Sequence, residues 1–432
     1  MTKKIMIAAM TALFLLPSFA PGNGLSLNGL GSRAQGMGGA FVGIANDFSA
    51  VFWNPAGAAG FRRETFGFYA GDVIPRATLG LAIGQIPENP PFEAKTKTSH
   101  YLNFLAGYYR PVGENVVLGL GIGTPSAQGM MWNGSDFAGL SNGTAYDLSS
   151  RLYVFAFSPM VAVKLSEAIS IGAAINVDIG TFSLKMPAGD SSYPISIDPV
   201  DLGQYEETMT GWGLGATVGI LVKPADTLSI GLTVRTPSTI TFDGSARMSN
   251  MTLFELPGSS DLRRKITWPL SIAGGVAFRP VERLLLSADI QWTQWSDLDV
   301  IRTTFTDFVW AQLAGIEGRD VRVLDWKDST QVRFGAEFML GPSTAVRAGY
   351  TYDPAPGPES TLDLLLPTFT NNSFAVGVGK AFGGLQLDFC LEYLDGNERR
   401  PTYLSPGIAL DVTGRTFGMH AFAPSVSAGY KF

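Results

Sequence analysis

The chain has 432 residues and a formal net charge of −6, and its composition lies between the usual classes of protein. Hydrophobic residues make up 46% and the mean hydropathy is +0.16, which is apolar for a soluble protein, but charged residues at 16% are too many for a bundle of membrane helices. The 51 glycines argue against a long-helix protein, and the acidic balance excludes the basic surface of a nucleic-acid-binding protein, so no nucleic-acid partner is expected.

The first twenty residues have the pattern of a secretory signal peptide. Two lysines precede an apolar run at Ile5–Leu16, and Pro17–Ala20 ends in a site of small residues. The apolar run is too short to span the roughly 30 Å of a bilayer, which argues against a membrane anchor. We therefore predict a signal peptide over residues 1–20, while Pro21, an unfavourable first mature residue, leaves the cleavage site open.

Beyond the signal peptide, apolar residues alternate strictly with small or polar ones. From Ile169 to Ile179 the odd positions are all apolar, whereas the even positions hold small or polar residues. Successive side chains of a β-strand point to opposite faces, so one face is apolar and the other small or polar. The pattern recurs near 211–222, 228–235, 331–340, 385–393 and 425–432. No apolar stretch of 18 residues follows the signal peptide, so no membrane helix is predicted.

Short and long connections alternate between these segments. Short turns rich in proline, glycine or charge occur at Pro111–Asn115, Ser166–Glu167, Pro224–Asp226, Pro280–Arg283, Gly341–Ser343 and Gly383–Gly384. Long polar links lie near 75–99, 125–150, 184–208, 244–265, 297–328, 354–371 and 395–417. A soluble β-sandwich also alternates, but this arrangement of turns and loops is typical of outer-membrane barrels. The sequence therefore predicts an all-β fold, a transmembrane antiparallel β-barrel of about 14 strands over residues 61–432 with seven long outer loops.

Aromatic residues occur at two kinds of position that are typical of outer-membrane barrels, namely near strand ends and at the C-terminus. Residues near predicted strand ends that suit aromatic girdles are Trp212, Trp268, Trp292, Tyr350 and Tyr393. The last strand ends in Phe432, on the apolar face, which resembles the C-terminal signature that the barrel-assembly machinery recognises. The expected partners in the envelope are this machinery, outer-membrane lipid and lipopolysaccharide.

Residues 21–60 do not have the pattern of a strand. Small residues dominate Gly24–Ala40, which suits a segment packed inside a narrow lumen. Asp47 is placed to cap a short helix through Trp53. Asn54–Pro55 would end that helix, because the residue before a proline avoids the helical region. We therefore predict a small, partly helical N-terminal hatch inside the barrel.

The mature sequence resembles the long-chain fatty acid transporter family of the FadL/TodX type over essentially its whole length. The most specific part is the hatch pattern, made of Arg33-Ala34, Gly38-Gly39-Ala40, Asn46-Asp47, Ser49-Ala50 and Asn54-Pro55-Ala56. Further matches are Gly119–Pro125, Trp292–Asp297, Arg347–Tyr350, Asp353-Pro354 and Pro356. The resemblance implies a monomeric fourteen-stranded barrel blocked by a hatch, with gate residues Asn46, Asp47, Asn54, Pro55 and Ala56.

The resemblance also implies a side opening where the third strand bends inward. Hydrophobic ligands would be caught by the outer loops, pass the hatch and leave sideways into the bilayer. The residues expected at this exit are Gly121, Gly123, Thr124 and Pro125, because glycine permits bends and proline cannot donate to the strand ladder. The alternative is that these are ordinary lumen-facing glycines at the end of a strand.

Apolar residues in the long loops are candidate ligand-binding residues. A surface for hydrophobic ligands is apolar where water would favour polar residues, and methionine suits adaptable sites. The candidates are Met130, Met131, Trp132, Met251, Leu253, Phe254 and Leu256. For each residue the alternative is that the loops pack against one another, but together these apolar loops favour a capture groove.

A fatty-acid carboxylate would also need a cation inside the barrel. By the alternation, Arg235, Arg333 and Arg347 face the lumen, and so do the acidic residues Asp178, Asp289, Glu337 and Asp388. Arg235 and Arg347 are candidate ligand-binding residues, although ion pairs that hold barrel and hatch together are the favoured interpretation. An uncharged substrate, such as an alkane or an aromatic compound, is therefore an equally acceptable alternative to a fatty acid.

The sequence does not predict an enzyme, a metal site or a cofactor. His100 and His420 are far apart without a metal-ligand pattern, and neither a catalytic serine motif nor a dinucleotide fingerprint is present. The predicted function is passive uptake of hydrophobic compounds, long-chain fatty acids or hydrocarbons, across the outer membrane of a Gram-negative cell. The alternatives are a general diffusion porin and a structural surface barrel or adhesin.

Overall fold

The computed structural model describes residues 24–81, 92–140, 143–189, 201–316, 320–400 and 416–432. The predicted signal peptide lies outside the described residues. Within these ranges, no helix is both long and apolar enough to cross a membrane.

Twenty antiparallel β-strands make up most of the described chain. They are β1 (Thr65–Leu81), β2 (Phe92–Lys95), β3 (Tyr101–Val112), β4 (Val116–Gln128), β5 (Met131–Trp132), β6 (Leu148–Lys164), β7 (Ile169–Gly189), β8 (Asp201–Ala225), β9 (Leu228–Arg235), β10 (Ser238–Met248), β11 (Ser259–Trp268), β12 (Ser271–Val281), β13 (Leu284–Thr293), β14 (Val300–Phe305), β15 (Val321–Val323), β16 (Ser329–Met339), β17 (Thr344–Asp353), β18 (Asn371–Phe382), β19 (Leu385–Arg399) and β20 (Thr416–Lys431).

These strands close into a barrel with fourteen strands in its wall. The short strands β2, β5 and β15 belong to the outer loops, and three wall strands are each interrupted once, so that β9 continues as β10, β11 as β12, and β13 as β14. The first and last strands pair along their length, from Thr65 with Lys431 to Gly80 with Thr416. The prediction of a barrel of about fourteen strands is confirmed. Because the first and last strands pair, neither is left as the edge strand of an open sheet, as a backbone in lipid requires.

All six predicted short turns join neighbouring wall strands at one end of the barrel. The gaps between strands there are as short as Phe382 to Leu385, and both ends of the wall, Thr65 and Lys431, lie at the same end. The long connections lie at the opposite end. We call these the short-turn end and the loop end.

The two faces of the wall differ as the alternation predicts. On β7 the outward side chains of Ile171, Ile175 and Ile179 are 38%, 59% and 50% exposed, whereas the inward Ala174 and Asp178 are 3% and 9% exposed. An apolar exterior and a partly polar interior are what a barrel in lipid requires.

The N-terminal segment lies inside the wall and is partly helical. It contains α1 (Ser32–Gly36), α2 (Ala50–Trp53) and a 3-10 helix at Pro55–Gly60. The expectation that Asp47 caps the helix is wrong, because Ser49 occupies the N-cap position and the Asp47 carboxylate accepts hydrogen bonds from Ser49 instead. The expected helix end is confirmed, since Asn54 is extended (φ −161°, ψ 104°).

Four of the remaining described helices lie in the outer loops. They are α3 (Phe308–Ile316) and 3-10 helices at Gly134–Leu140, Met251–Phe254 and Glu359–Thr361. A further 3-10 helix, Trp295–Asp297, lies at the interruption between β13 and β14. Buried side chains form two clusters, which we call the loop core and the hatch core. The loop core contains Leu25, Trp132, Met251, Trp295, Trp310, Trp326 and Phe369 among others, and the hatch core contains Phe41, Phe48, Val51, Trp53 and Tyr109.

Candidate functional site

Asn54, one of the predicted gate residues, holds the hatch against the wall. It is fully buried, and its Nδ2 donates to the carbonyl oxygens of Val42 (3.1 Å) and of Ile220 in β8 (3.0 Å). Its Oδ1 accepts from the backbone N–H of Ala56 (3.1 Å) and so fixes the 3-10 helix that begins at Pro55. A single amide side chain therefore ties the hatch both to itself and to the barrel.

Glycines on the inner face of the wall make room for this part of the hatch. A Cβ atom at Gly219 would collide with the Asn54 side chain, and one at Gly172 would collide with the backbone of Pro55. Gly231 lies equally close to the hatch backbone. The wall has glycine at these inward-facing positions because the hatch lies directly against it and leaves no room for a side chain.

A network of four charged side chains joins α1 to the wall. Arg33 donates from Nε and Nη2 to both carboxylate oxygens of Glu337 (2.8 and 2.9 Å). Arg347 donates to the same carboxylate (2.7 Å) and to Asp388 Oδ1 (2.7 Å). Burial lowers the pKa of the Arg33 guanidinium, but the charge and the hydrogen bonds of Glu337 outweigh this effect and raise that pKa above its ordinary value. Arg33 therefore remains charged.

The other predicted gate residues, Asn46 and Asp47, lie beside Arg33. Asn46 is exposed, and its Oδ1 accepts from Arg33 Nη1 (2.6 Å). Asp47 Oδ2 lies 3.8 Å from the same nitrogen. The five predicted gate residues thus form two separate contacts, one around Arg33 and one at Asn54.

Charged side chains also fix the hatch elsewhere. Asp289 Oδ2 accepts from the backbone N–H groups of Phe41 (2.7 Å) and of the next residue (2.8 Å). Arg235 donates to the carbonyl oxygen of Phe52, and its guanidinium lies 4.3 Å from the centre of the Phe52 ring. Arg347 is therefore held by ion pairs, in agreement with the favoured interpretation, whereas Arg235 holds the hatch through a backbone oxygen and an aromatic ring.

The third wall strand, β4, separates from its neighbour at the predicted bend. Pairing of β4 with β3 ends at Gly123 and Leu105, and its register with β6 shifts between Gly123 and Ser126. In the described pairings, the remainder of β4, up to Gln128, pairs with β6 alone. We call residues 123–126 the bulge, and the structure places Thr124 and Pro125 within it.

Side-chain and hatch contacts replace the missing strand pairing at the bulge. The Thr124 hydroxyl accepts from the backbone N–H of Phe104 (2.7 Å) and donates to the Phe104 carbonyl oxygen (3.1 Å). On the inner side, the backbone N–H of Leu27 donates to the Pro125 carbonyl oxygen (3.0 Å). The bulge is thus held by one hydroxyl towards β3 and by the N-terminal segment towards the lumen.

We expect Thr124→Val to destabilise the barrel by about 1–3 kcal/mol, because the N–H and C=O groups of Phe104 lose their partner in a buried place. Valine has nearly the same shape, so the packing changes little. The measurement is urea unfolding in lipid vesicles, with Thr239→Val on the exposed outer face of β10 as control. Equal unfolding midpoints for the two variants would contradict this role of Thr124.

Three cavities follow one another inside the barrel. The loop cavity is lined by Phe182, Leu184, Trp310, Leu313 and Leu366 among others. The N-terminal cavity is lined by Ser26–Asn28, Tyr101, Met130, Leu366 and Phe369 among others. The bulge cavity is lined by Ser26–Asn28, Gly121, Gly123, Pro125, Ala156 and Arg235 among others. The loop cavity and the N-terminal cavity share one lining residue, Leu366, and the N-terminal and bulge cavities share three, so the cavities form a series from the loops to the bulge.

The predicted ligand-binding residues are divided among different places. Met130 lines the N-terminal cavity and Arg235 lines the bulge cavity. In the loop core, Trp132 donates to the Leu364 carbonyl oxygen (2.8 Å), Met251 is fully buried, and Leu256 packs at the edge. Met131 is half-buried in β5.

The structure does not bring these residues together in one cavity. Leu253 and Phe254 are 77% and 48% exposed on the outer surface, and neither they nor Arg347 line the three cavities. The other loop residues mainly pack against one another, because that packing removes their apolar surface from water.

Two tryptophans in the bulge cavity were not predicted as site residues. Trp268, expected in an outer girdle, points inward and donates from Nε1 to Ser126 Oγ (3.0 Å), and Trp295 of the loop core also lines the cavity. Pro269 interrupts the wall strand directly after Trp268. This proline was the feature of the sequence that could have indicated that the strand is interrupted here and that Trp268 need not face the membrane.

Comparison with known proteins agrees with this architecture. Outer membrane protein P1 of Haemophilus influenzae is 22% identical over 408 residues, which cover 84% of each chain. Among solved structures, a FadL homologue of Pseudomonas aeruginosa superposes with a TM-score of 0.74 at 15% identity, covering 95% of this chain and 100% of that one. The P. putida toluene transporter TodX gives a TM-score of 0.70 at 18% identity, covering 94% and 99%.

The sequence as a whole also matches one protein family. Residues 13–416 match the family described as Outer membrane protein transport protein (OMPP1/FadL/TodX). The match includes the hatch and nearly the entire wall, and it agrees with the fold of the solved structures. The chain belongs to this outer-membrane transport family.

Proposed function

We propose that the protein carries hydrophobic compounds passively through the outer membrane and releases them sideways at the bulge. The observation that carries this proposal is the series of cavities. The loop cavity and the N-terminal cavity share Leu366, and the N-terminal and bulge cavities share Ser26–Asn28. A ligand that moves along this series reaches the part of the wall where the β3–β4 pairing is missing.

The segment Ser26–Asn28 is the proposed internal gate between two cavities. Leu27 is bonded to Pro125, and the Asn28 amide donates to Glu392 (3.2 Å) and to Ser373 (3.3 Å) on the opposite side. A displacement of this short segment would join the two cavities without moving the rest of the hatch. The two-state change requires a ligand that binds the open form more tightly. Asn46, Asp47 and Asn54–Ala56 then act as the fixed support of the gate.

Buried donors in the bulge cavity favour a ligand that carries an acceptor atom. Among the described residues, Arg333 Nε and Trp295 Nε1 are buried and lack a hydrogen-bond partner, and both side chains line this cavity. An unpaired buried donor is costly, so a ligand oxygen there would be stabilised. This supports an amphiphile such as a fatty acid, whereas the similarity to a protein named as a toluene transporter supports an aromatic hydrocarbon.

The envelope partners also belong to the proposal. Phe432 is 62% exposed and packs edge-to-face against Tyr430 with 5.0 Å between ring centres, so its ring is accessible to the barrel-assembly machinery. We propose a monomer surrounded by outer-membrane lipid and lipopolysaccharide, with an N-terminal signal peptide over residues 1–20. Neither enzymatic chemistry nor a cofactor is part of the proposal.

Filling the bulge cavity should abolish uptake. We expect Ala156→Trp, on the inner face of β6, to reduce uptake of a labelled long-chain fatty acid and of toluene to the level of cells without the protein, since the indole would occupy the space before the bulge. The measurement is initial uptake by cells that express equal amounts of folded barrel.

The matched control is Phe157→Trp, at the next position, which points into lipid and is 43% exposed. It should leave uptake unchanged. Unaltered uptake by folded Ala156→Trp would contradict the proposed route. A general diffusion porin would instead show large ion conductance in the wild type, and a structural barrel or adhesin would give no uptake above background.

A further inference from the structure

The lipid-facing side of the bulge lacks large side chains from β4 itself. Ile122 points outward and is 40% exposed, but Thr124, Ser126 and Ala127 are all buried. The strand therefore retreats from the lipid surface beyond Ile122. A hydrophobic outer cover at this height has to come from the neighbouring strands.

Aromatic rings of the strands on either side provide that cover. Phe104 of β3 and Phe155 of β6 have ring centres 6.2 Å apart, although β4 runs between these two strands. The row continues on both sides, with Phe68 6.4 Å from Phe104 and Tyr153 stacked 6.0 Å from Phe155. Outward side chains of two strands that are not neighbours meet because the strand between them bends inward.

These rings lie directly outside the bulge cavity. Leu105, Val154 and Ala156 line the cavity, and each is next in sequence to Phe104 or Phe155 and points to the opposite face. The Phe104 backbone is held by Thr124. The movable parts of this wall are therefore the rings, and rotating a side chain is a much faster and smaller change than separating paired strands.

We propose that Phe104 and Phe155 form an aromatic shutter on the lipid side of the bulge and set the width of the molecules that leave. The inference rests on the proposed sideways release. The ring contact favours the closed arrangement by dispersion and edge interactions. A narrow ligand would pass after one ring rotates, whereas a wide one would need both rings to separate.

The test compares release of a narrow and a wide ligand. Wild type, Phe104→Ala and Phe155→Ala are expressed at equal levels, and initial uptake is measured for toluene and for a polycyclic hydrocarbon of three fused rings. We expect each variant to raise the uptake ratio of wide to narrow ligand by about threefold or more, the order of an aromatic pair contact. Phe155→Trp, which enlarges the shutter, should lower the ratio.

The control is Phe157→Ala, which removes a lipid-facing phenylalanine two residues from Phe155 on the same strand. If the alanine variants do not insert, Phe104→Leu and Phe155→Leu keep an apolar side chain and remove the ring contact. A ratio equal to that of Phe157→Ala in correctly folded variants would overturn the shutter while leaving sideways release intact. Absence of any uptake by the wild type would instead overturn the proposed function, and the shutter with it.

Discussion

We expect Gly349→Val to displace the hatch from the wall and to raise the ion conductance of the barrel. Gly349 lies on the inner face of β17, and a Cβ atom there would overlap with the backbone of Met37 and Gly38. Backbone atoms cannot rotate away as the end of a side chain can, so the hatch itself would have to move. The Thr351 hydroxyl also donates to the Gly38 carbonyl oxygen (2.6 Å), and this bond would be lost. Overpacking of this kind costs about 3 kcal/mol.

The measurement is single-channel conductance in planar bilayers together with urea unfolding. Gly274→Val is the matched control, because Gly274 lies on a wall strand and the nearest atom that a new Cβ would meet is 4.0 Å away. The control should conduct like the wild type. If Gly349→Val also keeps the wild-type conductance while it folds, the Met37–Gly38 contact does not help to close the lumen.

Much of the wall was predictable from the sequence because the alternation within each strand shows by itself which side chains face the lipid and which face the lumen. The alternation at Ile169–Ile179 and the short turns, such as Gly383–Gly384, depend only on neighbouring residues and on the lipid outside. The structure agrees with both. The hatch was recognisable as a segment without strand pattern, and Asn54–Pro55 ended its helix because of a local rule.

The contacts inside the lumen were not predictable, because they join residues far apart in the chain. The alternation near 211–222 indicated that Gly219 faces inward, but not that the Asn54 side chain of the hatch lies on it. The alternation also showed that Arg347 faces inward, but not that its guanidinium donates to Glu337 and Asp388. The meeting of Phe104 with Phe155 across an intervening strand requires the bulge geometry, which no single strand encodes.

Replacing Arg347 with methionine should cost about 3–5 kcal/mol of stability, because it leaves a buried carboxylate without its cation. The Arg347 side chain is 2% exposed, and its partners Glu337 and Asp388 are 9% and 5% exposed. Glu337 would keep Arg33, but among the described side chains Asp388 would keep a hydrogen bond from the uncharged amide of Gln386 alone (2.9 Å). The cost comes from this unpaired charge rather than from the attraction that is lost, since methionine itself packs well.

The measurement is the urea midpoint in lipid vesicles, and an ion pair on the barrel surface gives the control. Arg263 and Asp243 are 2.6 Å apart, close to the 2.7 Å of the Arg347 pairs, but their side chains are 64% and 57% exposed, so water and salt already weaken the pair. Arg263→Met should unfold at nearly the wild-type urea concentration. If Arg347→Met matches it, the buried network does not stabilise the barrel. A lower urea midpoint for Arg347→Met alone would mean that the burial of the Arg347 ion pairs, rather than their short distance, determines how much they stabilise the barrel, because the distances in the two cases are almost equal.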